Sequence, residues 1–288
     1  MSTTHIVIMA GGVGSRLFPI STPDHPKQFI DFLGVGKSLI QLTYDRFLEV
    51  DPQARFWVVT SEKYVHFVHE QLPDIPDEQI LAEPVARNTA PCIGYACWKI
   101  RARYPDANIV VTPSDAYVPD AKAFAVTMGK ALDFTAHSNA VVCVGIAPDH
   151  PDTEYGYIQV EDYKGCDEVS RVRAFKEKPS AEVAASYLAE DGYFWNAGIF
   201  VWNADTIVRE LREHAPQIAI LMDGIAEDVY TERETATVGR LFPQCDKISI
   251  DYAVMEKSCN VHVIGASWQW SDLGSFAAIE KITGKKLN

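Results

Sequence analysis

Three absences narrow the reading before any motif is considered. The six cysteines (Cys92, Cys97, Cys143, Cys166, Cys245 and Cys259) include no C-x-x-C pair and no histidine partner at zinc spacing. This argues against a zinc ribbon or finger. With no secretory signal at the N-terminus, they read as reduced, mostly buried thiols of a cytoplasmic protein. No stretch reaches the ~20 apolar residues of a membrane helix, so no membrane partner is expected. Basic charge is also short: 26 Lys and Arg stand against 39 Asp and Glu, a formal net charge of −13. Such a chain repels nucleic-acid backbones and anionic lipid, and nucleic acid is not an expected partner. Any phosphorylated ligand then needs its few cations gathered at one place. Repeats, low-complexity tracts and a Pro/Gly/Ser-rich linker are missing too.

What is present is a rhythm of strand and helix. His5–Ala10, Phe56–Thr60, Asn108–Thr112 and Ala140–Gly145 are short, largely β-branched apolar runs without alternation, as in strands buried on both faces of a parallel sheet. Between them Ser38–Leu48, Glu62–Leu72, Thr89–Tyr104 and Ala121–Ala136 carry helical spacing. Alternation of this kind predicts right-handed crossovers and an open, doubly wound sheet. Past residue 150 the rhythm loosens. Tyr155–Val160 and Val169–Lys176 read as antiparallel strands, Trp195–Trp202 as another strand, and Asp205–His214 as a helix. Trp195 and Trp202 are expected in the core. His66 and His69, three apart on a helix with no third ligand nearby, read as surface residues.

Ligands of open α/β sheets bind beyond the C-terminal ends of strands. The first such end is Ala10-Gly11-Gly12-Val13-Gly14-Ser15-Arg16. Its glycines let the backbone present N–H groups to a phosphate, and Arg16 adds a forked cation. The dinucleotide pattern G-x-G-x-x-G fails at Leu17, and the Walker pattern fails because Ser15-Arg16 follow Gly14. Gly34-Val35-Gly36-Lys37-Ser38 imitates a Walker ending, but Asp31 occupies the place of its first glycine. A loop leading into a helix cap is the better reading there. Lys27, in Pro26-Lys27-Gln28-Phe29, follows a proline-rich turn able to fold back over the glycine loop.

These two blocks resemble the N-terminal signature of nucleotidylyltransferases acting on sugar 1-phosphates, in particular the mannose-1-phosphate guanylyltransferases. The resemblance continues through Glu83–Pro91, Thr112-Pro113-Ser114-Asp115, Phe175–Pro179, Asn196–Phe200 and Trp270–Ser275, in family order. It implies a Rossmann-like nucleotidyltransferase domain: a doubly wound, mixed but mostly parallel sheet with a small antiparallel sugar-side subdomain. It also implies GTP and mannose 1-phosphate as substrates and Mg²⁺ as the metal, held by Asp115 and Asp272. The implied nucleotide-binding residues are Ala10, Gly11, Gly12, Gly14, Ser15, Arg16, Glu83, Asn88 and Ser114. Those for the sugar are Gly156, Glu177, Lys178, Asn196 and Gly198. Catalysis would fall to Arg16, Lys27, Asp115, Lys178 and Asp272, with Arg16, Lys27 and Lys178 converging on phosphates.

The chemistry suits these residue types. An ionised sugar phosphate attacking an α-phosphorus needs no general base, only positioning and charge neutralisation. A Ser-His or Cys-His set is accordingly not required. A carboxylate such as Glu83 can accept from both N1–H and N2–H₂ of guanine. Each residue also has a plainer reading: Asp115 as a turn cap, Asp272 as N-cap of the final helix, Glu83 as a charged strand end. If Glu177 and Lys178 continue a strand, alternation turns only one of them inward. One domain is expected over 1–288, its nucleotide part about 1–150 and its sugar part about 151–288, with no C-terminal isomerase domain. A homodimer is a further expectation. A guanylyltransferase for a heptose phosphate and a silent regulatory subunit stay open as alternatives.

Overall fold

The computed structural model describes residues 3–163, 165–284 and 286; the expected domain limits, 1 and 288, lie outside them. Nine strands form one sheet among the described residues. They are β1 (Thr4–Met9), β2 (Arg55–Ser61), β3 (Ile80–Glu83), β4 (Asn108–Pro113), β5 (Val141–Ile146), β6 (Tyr157–Val160), β7 (Val169–Lys176), β8 (Tyr193–Asn203) and β9 (Val261–Ala266). The helices are α1 (Leu39–Val50), α2 (Val65–Gln71), α3 (Thr89–Arg103), α4 (Ala121–Ala136), α5 (Ala181–Leu188), α6 (Ala204–His214), α7 (Pro216–Ala226), α8 (Glu234–Leu241) and α9 (Phe276–Thr283).

The sheet order is β3-β2-β1-β4-β8-β5-β9-β7-β6. Strands β3, β2, β1 and β4 pair in parallel, as do β5 and β9, while β8 runs antiparallel to both β4 and β5. Alternate residues of β1 feed opposite cores: Val7 packs with Trp57 and α3, Ile6 and Ile8 with Phe47 of α1 and Phe124 of α4. That two-sided burial is why the run shows no polar alternation. The six cysteines are all unpaired, and Cys92, Cys97, Cys143 and Cys245 are buried. Trp195 and Trp202 are buried. His66 and His69 are exposed. No helix among the described residues is long and apolar enough to cross a membrane.

The false Walker loop has a clear alternative use. The Asp31 carboxylate accepts the N–H groups of Gly34, Val35 and Gly36 at 2.7, 3.1 and 2.7 Å. Ser38 then caps α1, its N–H donating to Gln41 Oε1 at 3.0 Å. The loop amides are spent internally.

Beyond residue 150 the sheet curls. Strand β6 pairs with β8 as well as β7, and β7 with β9, so β8-β5-β9-β7-β6 closes a ring. The facing residues Gly145 and Gly265 lie under the Phe194 ring, and a Cβ on either would meet that side chain at 2.7 Å. Closure therefore depends on an aromatic side chain occupying what two side chains would otherwise fill. Gly265→Ala is expected to destabilise the protein by about 1–3 kcal/mol through overpacking against the Phe194 ring. Denaturant unfolding of Gly265→Ala with and without Phe194→Leu checks this, since leucine lacks the distal ring atoms that the new Cβ would meet and should recover part of the loss.

Candidate active site

The glycine loop leaves the C-terminal end of β1, and Ser114-Asp115 leave the end of the adjacent β4. Gln28 holds the first loop in shape, its Nε2 donating to the carbonyls of Ala10 and Gly12 at 2.8 and 2.9 Å. Ala10 itself is buried, with its N–H on the Val59 carbonyl, so it shapes the loop rather than facing outward. Gly14 has φ 65°, and a Cβ there would stand 2.7 Å from Lys27 Cβ. Left-handed backbone and close packing both demand glycine at that point. Ser15 and Arg16 are exposed at the start of a short 3₁₀ turn.

Lys27 is the centre of this arrangement. Its side chain is 6% exposed, and Nζ sits 2.8 Å from Asp115 Oδ2. The same ammonium donates to the backbone carbonyl of Asp272 at 2.5 Å. Asp272 Oδ1 accepts from the Tyr155 hydroxyl at 3.1 Å and the Gly274 N–H at 2.9 Å, while Oδ2 lies 3.6 Å from Arg16. Arg16 also reaches Glu154 at 3.4 Å. One further device ties the aspartate loops together, and a second anchors the Asp115 loop to α1. Tyr117 and Ser271 form an isolated antiparallel bridge, with N–H to carbonyl distances of 2.8 and 3.1 Å. On the helix side, Thr43 donates to the Ser114 carbonyl and buried Arg46 to the Ala116 carbonyl. Asp272 does not cap the final helix; Ser275 does, accepting from the Ala278 N–H.

A cavity of about 360 Å³ opens from this pair of loops and is lined by Gly11, Gly12, Glu83, Asn88, Ser114 and Asp115 among others. Glu83 closes β3 and is 7% exposed. Burial pushes its carboxyl up to about 7, with partial relief from the Cys92 thiol. Asn88, at φ 68°, caps α3 by accepting from the Thr89 N–H at 2.8 Å. The plain strand-end reading of Glu83 is thus also true; the strand simply ends in the cavity.

A second group collects on the ring side. Glu177 carries its carboxylate over Gly156, within contact of where a Cβ would be. Asn196 donates to Asp251 Oδ1 at 3.0 Å and accepts from the Gly198 N–H at 3.0 Å. Asn196–Gly198 falls where the β5–β8 register shifts, a bulge that re-aims side chains beside a site. Gly198 packs toward Pro113, joining this group to the β4 loop. Burial raises the Glu177 carboxyl, and the Asp251 charge adds to the rise; burial likewise raises Asp251. The expected strand alternation does not apply, because β7 ends at Lys176 and Lys178 turns left-handed at φ 49°. Lys178 Nζ lies 3.4 Å from Glu177 Oε1. Among the described residues no ion pair links Lys178 to the partners of Arg16 or Lys27.

Among the described residues no cluster of three His, Cys, Asp or Glu is placed to hold a metal unaided. Asp115 and Asp272 side chains are 32% and 29% exposed and offer hard oxygen ligands on either side of Lys27. That donor set fits a divalent cation which completes its shell with phosphate oxygens and water.

The family profile described as nucleotidyl transferase matches residues 5–288. The chain belongs to the nucleotidyl transferase family. It is 34% identical over 288 residues to an Escherichia coli mannose-1-phosphate guanylyltransferase, covering 97% of this chain and 61% of that one. A Sinorhizobium fredii protein of the same name is 36% identical over 278 residues, with 95% and 54% covered. This nucleotidyl transferase thus spans between half and two thirds of these relatives' length. A Thermus thermophilus crystal structure, described as a mannose-1-phosphate geranyltransferase, matches with TM-score 0.86 and 29% identity over 98% of this chain and 80% of that one. A UDP-glucose pyrophosphorylase complexed with UDP-glucose shares the fold at TM-score 0.64 and 15% identity, covering 99% of this chain and 98% of that one.

Sequence reasoning missed several residues of the site. Tyr155, Arg46, Thr43 and Asp251 act through partners distant in sequence, and no local pattern marks them. Gln28 lies inside Pro26–Phe29 and Cys92 directly follows Glu83–Pro91, but nothing in either segment marks the part these side chains take.

The raised Glu83 carboxyl has a consequence for stability. Below pH 4.5, the ordinary value, it is protonated in both the folded and unfolded states. Between pH 4.5 and about 7 the unfolded chain releases its proton first, so stability falls as pH rises and then levels. The total is about 3 kcal/mol. In urea titrations at pH 5 and pH 8 without nucleotide, Glu83→Gln should lose less stability than the parent by that amount. An equal fall in both proteins would assign the slope to other groups.

Proposed function

We propose that this nucleotidyl transferase joins GTP and mannose 1-phosphate into GDP-mannose and diphosphate, with Mg²⁺ as the metal. The observation that carries the reading is Glu83, a buried carboxyl in the same cavity as the glycine loop and Asp115. A carboxylate there matches the adjacent N1–H and N2–H₂ donors of guanine, which adenine and uracil do not present together. Mannose as the sugar is supported by the names of the relatives at 34 and 36% identity.

In this reading an oxygen of the sugar phosphate attacks the α-phosphorus of GTP, and the bond from that phosphorus to the bridging oxygen of diphosphate breaks in line. The nucleophile is already an anion, so no side chain need take a proton. Mg²⁺ held by Asp115 and Asp272 would neutralise phosphate charge. Lys27 keeps the two aspartate loops in register and supplies positive charge between them. Gly11, Gly12 and Ser114 line the nucleotide side, with Arg16 at the rim. Lys178 stands ready for the phosphate of the sugar. Glu177 and Asn196 offer hydrogen-bonding groups to hydroxyls, and Gly156 and Gly198 leave room for the ring.

The test is diphosphate release from GTP, ATP, UTP and dTTP, each crossed with mannose, glucose and heptose 1-phosphates, with and without Mg²⁺. Metal-dependent release confined to GTP with mannose 1-phosphate is expected. Release with a different sugar would refute the mannose assignment, and no release from any pair would refute the activity. Asp115→Asn and Asp272→Asn should each lower turnover by about 100-fold or more, the scale of several kcal/mol of lost charge stabilisation. Near-parental turnover in both would overturn the metal assignment. Glu83→Gln should narrow the preference for GTP over ATP, because the amide offers one acceptor to two donors.

A further inference from the structure

Lys247 lines the same cavity as Glu83 and Asn88, yet belongs to a loop far along the chain with no recognisable motif. Its segment is fastened to the start of α3 at three points. Arg87 donates to the Pro243 carbonyl, Ala90 N–H to the Ile248 carbonyl at 3.1 Å, and Ile250 N–H to Thr89 Oγ1 at 2.8 Å. The loop is therefore a fixed wall of the cavity rather than a loose flap.

Two donors of this cavity are committed within the protein. Gln28 Nε2 is held by two loop carbonyls, and the Thr89 N–H is taken by Asn88. Lys247 makes no ion pair or hydrogen bond among the described residues, although the protein carries a net charge of −13. It is not paired with Glu83 either, so a buried carboxyl and a lysine ammonium line one cavity without contacting each other. Guanine is complementary to such a pair. Its Watson–Crick edge offers donors at N1 and N2, and its other edge offers acceptors at O6 and N7, the edge for which a lysine or arginine is the commonest specific partner.

We propose that Lys247 is a specificity-determining residue, its ammonium donating to the O6/N7 edge of the guanine whose N1–H and N2–H₂ face Glu83. The inference rests on the GTP reading above and deepens it. A neutral or acceptor group at that position would leave the guanine acceptors unpaired, whereas the lysine discriminates against adenine, which carries a donor in place of O6.

Binding measured by titration calorimetry separates this from a phosphate contact. Lys247→Met should weaken GTP and ITP alike by about tenfold, because both keep O6 and N7, and a hydrogen bond from a charged donor is worth that much. With 7-deaza-GTP and 6-thio-GTP the same substitution should cost clearly less, since an acceptor is already missing or weakened. Lys247→Arg should retain most of the parental preference for GTP over ATP. An equal loss for all four nucleotides would place the ammonium on phosphate and overturn the proposal, as would no loss for any. If the parent protein itself shows no preference for GTP over ATP and UTP, the guanine reading falls. If the parent prefers GTP and Lys247→Met keeps that preference unchanged, only the assignment of Lys247 falls.

Discussion

The site is organised by one buried positive charge. Lys27 is almost entirely withdrawn from water, and an ammonium in that position is tolerated only when paired and hydrogen-bonded. Asp115 supplies the countercharge and the Asp272 carbonyl a second acceptor, although the two are 157 residues apart in the chain. Satisfying Lys27 thus brings the end of β4 and the loop before α9 to opposite sides of one crevice. The neighbouring residue, Gln28, shapes the glycine loop from the same short segment, and Gly14 makes room for Lys27 to pass. Loop, cation and aspartates form a single interdependent unit.

Around that unit the fold adds supports of two kinds. Parallel strands β1 and β4 deliver their C-terminal ends side by side, which places the glycine loop next to Ser114 and Asp115. The Tyr117–Ser271 bridge and the contacts from Thr43 and Arg46 then fix the loops beyond the strand ends. On the other side, the ring of strands built around Phe194 holds the bulge at Asn196–Gly198 and the turn at Glu177-Lys178. Two halves with different sheet geometry meet at Pro113 and Gly198.

Much of the first half was legible because its information is local. Buried parallel strands announce themselves as apolar runs, and the helical spacing over Ala121–Ala136 matches α4 at both ends. The Asp31 loop was distinguishable from a phosphate loop by a single residue. The second half was less legible. Strand β9 and helices α5, α7 and α8 are not among the expected elements, although Val261–Ala266 is an apolar run of the same kind, and closure of the ring depends on pairings across long stretches of chain. Glu177 and Lys178 read as a continuing strand because nothing local marks the left-handed turn at Lys178.

The sequence alone determined the glycines of the first loop and the arginine and lysine beside them, because local backbone geometry and the charge of a phosphate ligand call for those residue types. The separated aspartates and the carboxyl of Glu83 were readable only as what the family resemblance implies. Only the tertiary structure decided which of these groups meet. Pairing of Lys27 with both aspartate loops, the left-handed turn at Lys178 and the raised Glu83 carboxyl all arise from burial and through-space contact. Those quantities are set by packing between distant segments, and no local pattern carries them.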